Sequence, residues 1–372
     1  MTSRTRSFMK FGMIAAFTGA ATIGFTTTVD AQDYTITIIP NSTGASGIND
    51  SNTVVGNGTN GSPYSYNGGT TTTIGNSSSL PAGSADAINA GGTIVGSSSN
   101  PNSPQAAIFG ANSTTFLGSG PTSQANAINT SGEIAGWVQD ANGVYHAAAF
   151  SSSNPSGSQI IDNANSFGEG INDSGTIVGY QANNSNGYDA FSYSSGTLTD
   201  LGSFGVTGAT AGYAKAINNS GTIAGYYLNS AGHASAVSYS GGVATTLDSA
   251  GSYQSSFANA LNSNGVIVGW AEANGNGPVA FVFSNGVFSN LNNLVTNLPT
   301  GDQLFSANAI NSNGDIAGTG GFTAYGDVSY GFILTPVPAG VAVPSPGSLG
   351  LVFAGAMGLG LILLACRKQK PV

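Results

Sequence analysis

A ten-residue phrase recurs seven times along this chain: GINDSNTVVG, AINAGGTIVG, AINTSGEIAG, GINDSGTIVG, AINNSGTIAG, ALNSNGVIVG and AINSNGDIAG. Its anchors are Asn49, Asn89, Asn129, Asn172, Asn218, Asn262 and Asn311, spaced 40, 40, 43, 46, 44 and 49 residues apart. A period of this length restricts the chain to stacked or radially arranged copies of one small unit.

Each phrase reads as a hairpin. The residues through Ala-Ile-Asn end one strand, Asn-x-x-Gly turns, and Thr-Ile-Val-Gly begins the return. Asn suits the first turn position because its side chain accepts bonds from backbone N–H groups two residues on. The fourth position calls for a left-handed residue, as in a type I turn followed by a bulge. Gly fills it in six copies and Asn52 in the first, Asn being the next most tolerant of that conformation. The phrase closes on Gly56, Gly96, Gly136, Gly179, Gly225, Gly269 and Gly318. A glycine fixed at one place in a strand implies that another backbone or a ring passes close by. A third strand of aromatic and small residues follows, as in PYSY at 63–66 and VAFVF at 279–283, and then a short Thr/Leu strand such as STTFLG or TLTDLG.

Four short strands per unit is the content of a propeller blade. After the seventh phrase the chain supplies a third strand, Tyr330–Leu334, and no fourth; before the first phrase, Tyr34–Ile39 is an orphan strand. A ring closes if the orphan completes the last blade, which removes the free edges that invite aggregation. The expected fold is therefore all-β, a seven-bladed β-propeller of four-stranded blades; an open β-solenoid is the competing arrangement.

Charge narrows the function. Only 6% of residues are charged, and between residues 32 and 348 Lys215 is the sole basic residue against fifteen acidic ones, a formal charge of −14. Nucleic acid is excluded as a partner, since affinity for phosphate comes from Lys and Arg. No P-loop pattern is present. The hydrophobic residues, 40% of the chain, fall on the repeat, which argues against disorder.

The two ends read as an address. Residues 1–31 have the form of a signal peptide, with Arg4, Arg6 and Lys10 in front, the apolar stretch Phe11–Phe25, and Val29-Asp30-Ala31 as the cleavage site. Residues 32–336 hold the repeats, and 337–348 form a Pro/Gly linker. The apolar run 349–366 would span about 27 Å as a helix, enough for the hydrocarbon core. Arg367, Lys368 and Lys370 in the tail 367–372 would hold that end in the cytoplasm. The one Cys, Cys366, lies at the inner edge of this run, so no intrachain disulfide supports the fold.

The segment VPSPGSLGLVFAGAMGLGLILLACRKQK resembles a PEP-CTERM sorting signal: a Val-Pro-x-Pro motif, an apolar helix and a basic end. Val343, Pro344 and Pro346 match the motif, with Ser345 where the family usually has Glu. The resemblance implies processing by an exosortase-type enzyme. The repeated phrases resemble the HAF repeat of bacterial extracellular proteins, across about residues 34–335. His146-Ala147-Ala148 and His233-Ala234-Ser235 carry the His-Ala start of its third strand, and Asp189-Ala190-Phe191 its Ala-Phe end.

No triad or metal-ligand spacing stands out. His146 and His233 occupy equivalent places two units apart and read as structural. Asp50, Asp173, Glu133 and Asp315 lie in or beside the turns, where a ring of acids could bind Ca²⁺; changing positions from copy to copy favour solvated turns. Trp137, Tyr180, Tyr226, Trp270 and Tyr227 follow closing glycines and are the candidate sugar-stacking residues. The expected protein is non-enzymatic and secreted or surface-anchored, part of the envelope or extracellular matrix, contacting exopolysaccharide or another surface protein. The alternative is a carbohydrate-active enzyme using carboxylates in the propeller channel.

Overall fold

The structure, a computed structural model, describes residues 32–338 apart from 76–82, 99–102, 119, 163, 249–250, 274–276 and 324–327. The signal-peptide and membrane-span readings of 1–31 and 349–366, and the sorting motif with its basic tail, lie outside the described residues. Among the described residues no helix is long and apolar enough to cross a membrane.

Seven antiparallel four-stranded sheets follow one another along the chain, each a repeat of the same unit, and they form a seven-bladed β-propeller. In six blades the strands run in sequence order from the channel outward, as in Ser255–Leu261, Ile267–Ala273, Gly277–Ser284 and Val287–Asn290. The seventh is built from both ends of the body. Tyr34–Ile39 pairs antiparallel with Val328–Pro336, in a register running from Tyr34 opposite Pro336 to Ile39 opposite Gly331. The orphan strand thus closes the ring. Its other edge is covered where Tyr34 N–H donates to the Leu294 carbonyl (2.9 Å) and Thr296 N–H to that of Tyr34 (3.0 Å).

The repeated phrase is the hairpin between the innermost strand and the next. Gly92, Gly132, Gly175, Gly221, Gly265 and Gly314 all have φ between 73° and 86°, and Asn52 has φ 56°. At the closing glycines the inner strand carries a one-residue bulge, as between Ala258 and Ala260 opposite Gly269. The bulge pushes a carbonyl inward, and a Cβ on any closing glycine would overlap the backbone oxygen of Gly44, Ser84, Gln124, Phe167, Tyr213, Phe257 or Ser306. In four blades a ring from the third strand presses on the same spot: Phe150, Phe191, Phe281 and Phe332. Backbone and ring approach together there, as the invariant glycine implied. These rings are buried at 3% exposure or less, and each contributes roughly 2–3 kcal/mol by leaving water.

The anchoring asparagines have a role that the hairpin reading did not contain. Each is buried, and each Nδ2 donates to the backbone carbonyl of the corresponding Asn in the next blade. The bonds run Asn49 to Asn89, Asn129, Asn172, Asn218, Asn262 and Asn311, and Asn311 returns to Asn49, at 3.0–3.2 Å. Each Oδ1 meanwhile accepts from its own turn, as Asn172 does from Ser174 N–H (3.1 Å) and Thr176 N–H (3.0 Å). A closed head-to-tail ring of side-chain amides therefore clamps one end of the channel. Replacing Asn172 by Ala leaves the Asn218 carbonyl and the N–H groups of Ser174 and Thr176 without their side-chain partner, at about 1–3 kcal/mol. Asn172→Asp loses the donor and sets a carboxylate against the Asn218 carbonyl, so thermal melting should rank wild type above Asn172→Ala and that above Asn172→Asp.

Candidate functional site

The inner strands give the channel a sequence of heights, counted back from the asparagine ring. One residue before each anchor stands an aliphatic side chain: Ile48, Ile88, Ile128, Ile171, Ile217, Leu261 and Ile310. With the ring they line a cavity of about 280 Å³. Three residues before each anchor is the bulge residue: Ser46, Asp86, Asn126, Glu169, Lys215, Asn259 or Asn308. Most reach the next blade; Asn126 donates to the Gly168 carbonyl (2.8 Å) and Asn308 to that of Ala45 (2.8 Å). The one basic residue of the body sits here, with Lys215 Nζ 2.6 Å from Glu169 Oε2.

Five residues before the anchors, the blades diverge in chemistry. Phe167, Tyr213 and Phe257 stand opposite Tyr180, Tyr226 and Trp270 on the neighbouring strand, and Gln124 opposite Trp137. The rings join across blades. Trp270 stacks on Phe257 at 4.2 Å, and Tyr226 on Tyr213 at 4.6 Å. Phe257 meets Tyr226, and Tyr213 meets Tyr180, which contacts Phe167. Phe167 then meets Trp137 at 6.1 Å, while Tyr145 and Tyr188 fill the gaps behind. All of these rings are half-buried. On the remaining blades the same height carries Gly44 opposite Asn57, Ser84 opposite Ser97 and Ser306 opposite Thr319. An aromatic arc over four consecutive blades thus faces a polar sector on the other three.

The ionic height touches the arc directly. Burial holds the Tyr180 and Tyr226 phenols above their ordinary range, and the nearby Glu169 charge adds to the rise in both. Lys215 Nζ stands 5.8 Å from the centre of the Tyr180 ring. Asp86 accepts from Ser84 Oγ (3.0 Å) and from Gln124 Nε2. It meets channel solvent, yet protein surrounds it on nearly every side. Burial pushes its carboxyl up to about 6, against the opposing pull of those two bonds, and the Glu169 charge adds to the rise.

A stability consequence follows from the sign of that shift. The unfolded chain ionises its aspartates near pH 4, whereas the native state holds this proton to about 6. Between those values the native state binds more protons, so the contribution of Asp86 to stability falls as pH rises from about 4 to about 6 and is level above. With channel solvent offsetting part of the burial, the cost at neutral pH is roughly 1–2 kcal/mol. Asp86→Asn should therefore melt a few degrees higher at pH 7 and match wild type at pH 4. Equal melting differences at both pH values would contradict the assignment.

Of the aromatic residues that the sequence singles out, Trp137, Tyr180, Tyr226 and Trp270 all lie in the arc. Tyr227 points to the opposite face of its strand, packs into the core between blades, and shares a hydrogen bond with Thr246 Oγ1 (3.1 Å). The arc members Phe167, Tyr213, Phe257, Tyr145 and Tyr188 are additions. His146 bonds the Asp162 carbonyl and lies 3.5 Å from Asp140, whereas His233 is exposed in another blade, so the two share no site. The acidic turn residues serve the asparagine end. Asp173 accepts from Thr130 and Asn219, Asp50 from Ser312 N–H, and Glu133 and Asp315 from the anchors Asn129 and Asn311. Burial works to raise the Asp173 carboxyl, and its bonds outweigh it and hold it below the usual range. Among the described residues no three His, Cys, Asp or Glu side chains converge as metal ligands, and the Ca²⁺ reading gains no geometry.

These features define a seven-bladed propeller whose inner strands carry an asymmetric arc of half-buried aromatic rings. No family model matches the chain, and no curated protein is similar to it in sequence. Among solved structures it is similar to YCF48 bound to a D1 peptide, with a TM-score of 0.51 and 11% identity over 85% of this chain and 99% of that one. It is also similar to a TolB structure from Agrobacterium tumefaciens (TM-score 0.43, 12% identity, 66% and 87% covered) and to the Aleuria aurantia lectin (0.39, 15%, 72% and 98%). At these identities the likeness speaks to fold alone.

Proposed function

We propose that this protein is a non-enzymatic binding module, secreted or surface-anchored, that holds polysaccharide at the aromatic end of its channel as part of an envelope or extracellular matrix. The aromatic arc is the observation that carries the reading. Half-exposed rings are rigid and amphipathic, so they bury sugar faces with little loss of conformational entropy. At the same height on the other three blades, Ser84, Ser97, Ser306, Thr319 and Asn57 make that sector neutral and polar, which suits a sugar better than a charged or apolar ligand. The resemblance of the C-terminal segment to a sorting signal supports the address, with an exosortase-type enzyme acting near Pro344 and Pro346. A glycan array probed with residues 32–338 tests the binding. Reproducible binding that is lost in Trp137→Ala and Trp270→Ala supports the module; a blank array, or binding indifferent to both changes, overturns it. Replacing both prolines should leave the full-length protein in the membrane, and unchanged release would remove the sorting reading.

A second reading has its own observation. Asp86 and Glu169 are carboxylates at one height of the channel, unlike their counterparts in other blades, and one holds its proton to about 6. A carboxyl that holds its proton above the ordinary range, with a second carboxylate nearby, is the kind of pair that glycoside hydrolysis uses. New reducing ends from a bound oligosaccharide, abolished in Asp86→Asn, would favour this enzyme over the module.

A further inference from the structure

We infer that the channel selects a cationic amino-sugar polymer over neutral and acidic ones, with Asp86 receiving the ligand's ammonium group; this rests on the arc being a sugar site. The bulge height holds Asp86, Glu169 and Lys215, two carboxylates against one ammonium. Lys215 is committed to Glu169 at 2.6 Å, and the hydrogen-bond donors to Asp86 are the neutral groups of Ser84 and Gln124. A carboxylate so enclosed without a cation is costly, and an arriving ammonium relieves that cost.

The surroundings act in the same direction. Gln124, which donates to Asp86, stands opposite Trp137 at one end of the arc. A sugar resting on that ring therefore lies beside the carboxylate. The faces of Trp and Tyr rings attract cations in their own right. At longer range the body carries −14 formal charges, which draws polycations toward the channel and repels uronic-acid polymers. A lysine-rich peptide shares the charge but lacks a train of flat rings to lie along an arc spanning four blades, so the sugar polymer is the better occupant.

The test compares two oligosaccharides of one length that differ only at nitrogen, a glucosamine oligomer and its fully N-acetylated counterpart, titrated calorimetrically into residues 32–338 at pH 7. Tenfold or tighter binding of the glucosamine oligomer is expected, with Asp86→Asn removing that preference and bringing the two affinities together. Trp270→Ala should weaken both. Equal affinities in the wild type, or a preference that survives in Asp86→Asn, would overturn the selectivity while leaving the sugar site standing. Binding of neither oligomer, with an oligolysine bound instead, would overturn both.

Discussion

A body that begins at residue 41 instead of residue 32 is expected to lose cooperative folding. The missing segment, Tyr34–Ile39, is the outer strand of the seventh blade and joins the beginning of the body to its end. Six residue pairs with Val328–Pro336 disappear, together with Tyr34 and Ile39, which are 3% and 0% exposed. Losing those two side chains alone costs roughly 4–6 kcal/mol of apolar burial. The partner strand is left as a bare hydrogen-bonding edge, and bonds to Leu294, Thr296 and Asn297 on the far side are lost as well. The whole of a domain's stability is only about 5–15 kcal/mol, so the truncated ring should aggregate or melt tens of degrees lower. A peptide of residues 32–40 added in trans should restore part of the transition. Equal melting of the two forms would show that the ring does not depend on its closing strand.

The second large effect separates two glycines of one hairpin. Gly265 has φ 77° and open space where a Cβ would stand. Gly269 has ordinary backbone angles but faces the Phe257 carbonyl and the Phe281 ring, whose nearest atoms would lie 2.8 and 2.9 Å from a Cβ. Conformation is the constraint at the first and space at the second. Gly265→Asn should cost about 1 kcal/mol or less, since Asn52 adopts the equivalent conformation in the first blade. Gly269→Ala must move the inner strand or the buried ring, which costs about 3 kcal/mol or more when neither can yield. Urea unfolding should place Gly269→Ala well below Gly265→Asn. The reverse order would mean that the bulge adapts to a side chain.

Much of the fold is legible in the repeated phrase because turn chemistry is local. Asn at the first turn position and a left-handed residue at the fourth define the hairpin without reference to any other part of the chain. The surplus strand at one end and the missing one at the other then define the closure. The asparagine ring was hidden because its bonds span 40 to 49 residues within the chain and 262 at the seam.

The candidate site was legible in part. Residues after the closing glycines fall in register, which is why Trp137, Tyr180, Tyr226 and Trp270 emerge together. Their partners Phe167, Tyr213 and Phe257 lie on the bulged strand, where one extra residue breaks the alternation that assigns side chains to a face. The same bulge masks the ionic height. Aligning the copies three residues before the anchor would have shown Asp86, Glu169 and Lys215 in one column, with the only basic residue of the body among them.

The protein carries its own probe of the aromatic arc. It has two tryptophans, and they are the two ends of the arc, Trp137 and Trp270, so intrinsic tryptophan emission reports on this site and no other. Titrating oligosaccharides into residues 32–338 while following that emission is the direct measurement. A saturable change in intensity or wavelength, reduced in each single tryptophan variant and matching the calorimetric affinity, is the predicted result. Binding seen by calorimetry with tryptophan emission unmoved would place the ligand elsewhere and contradict the account.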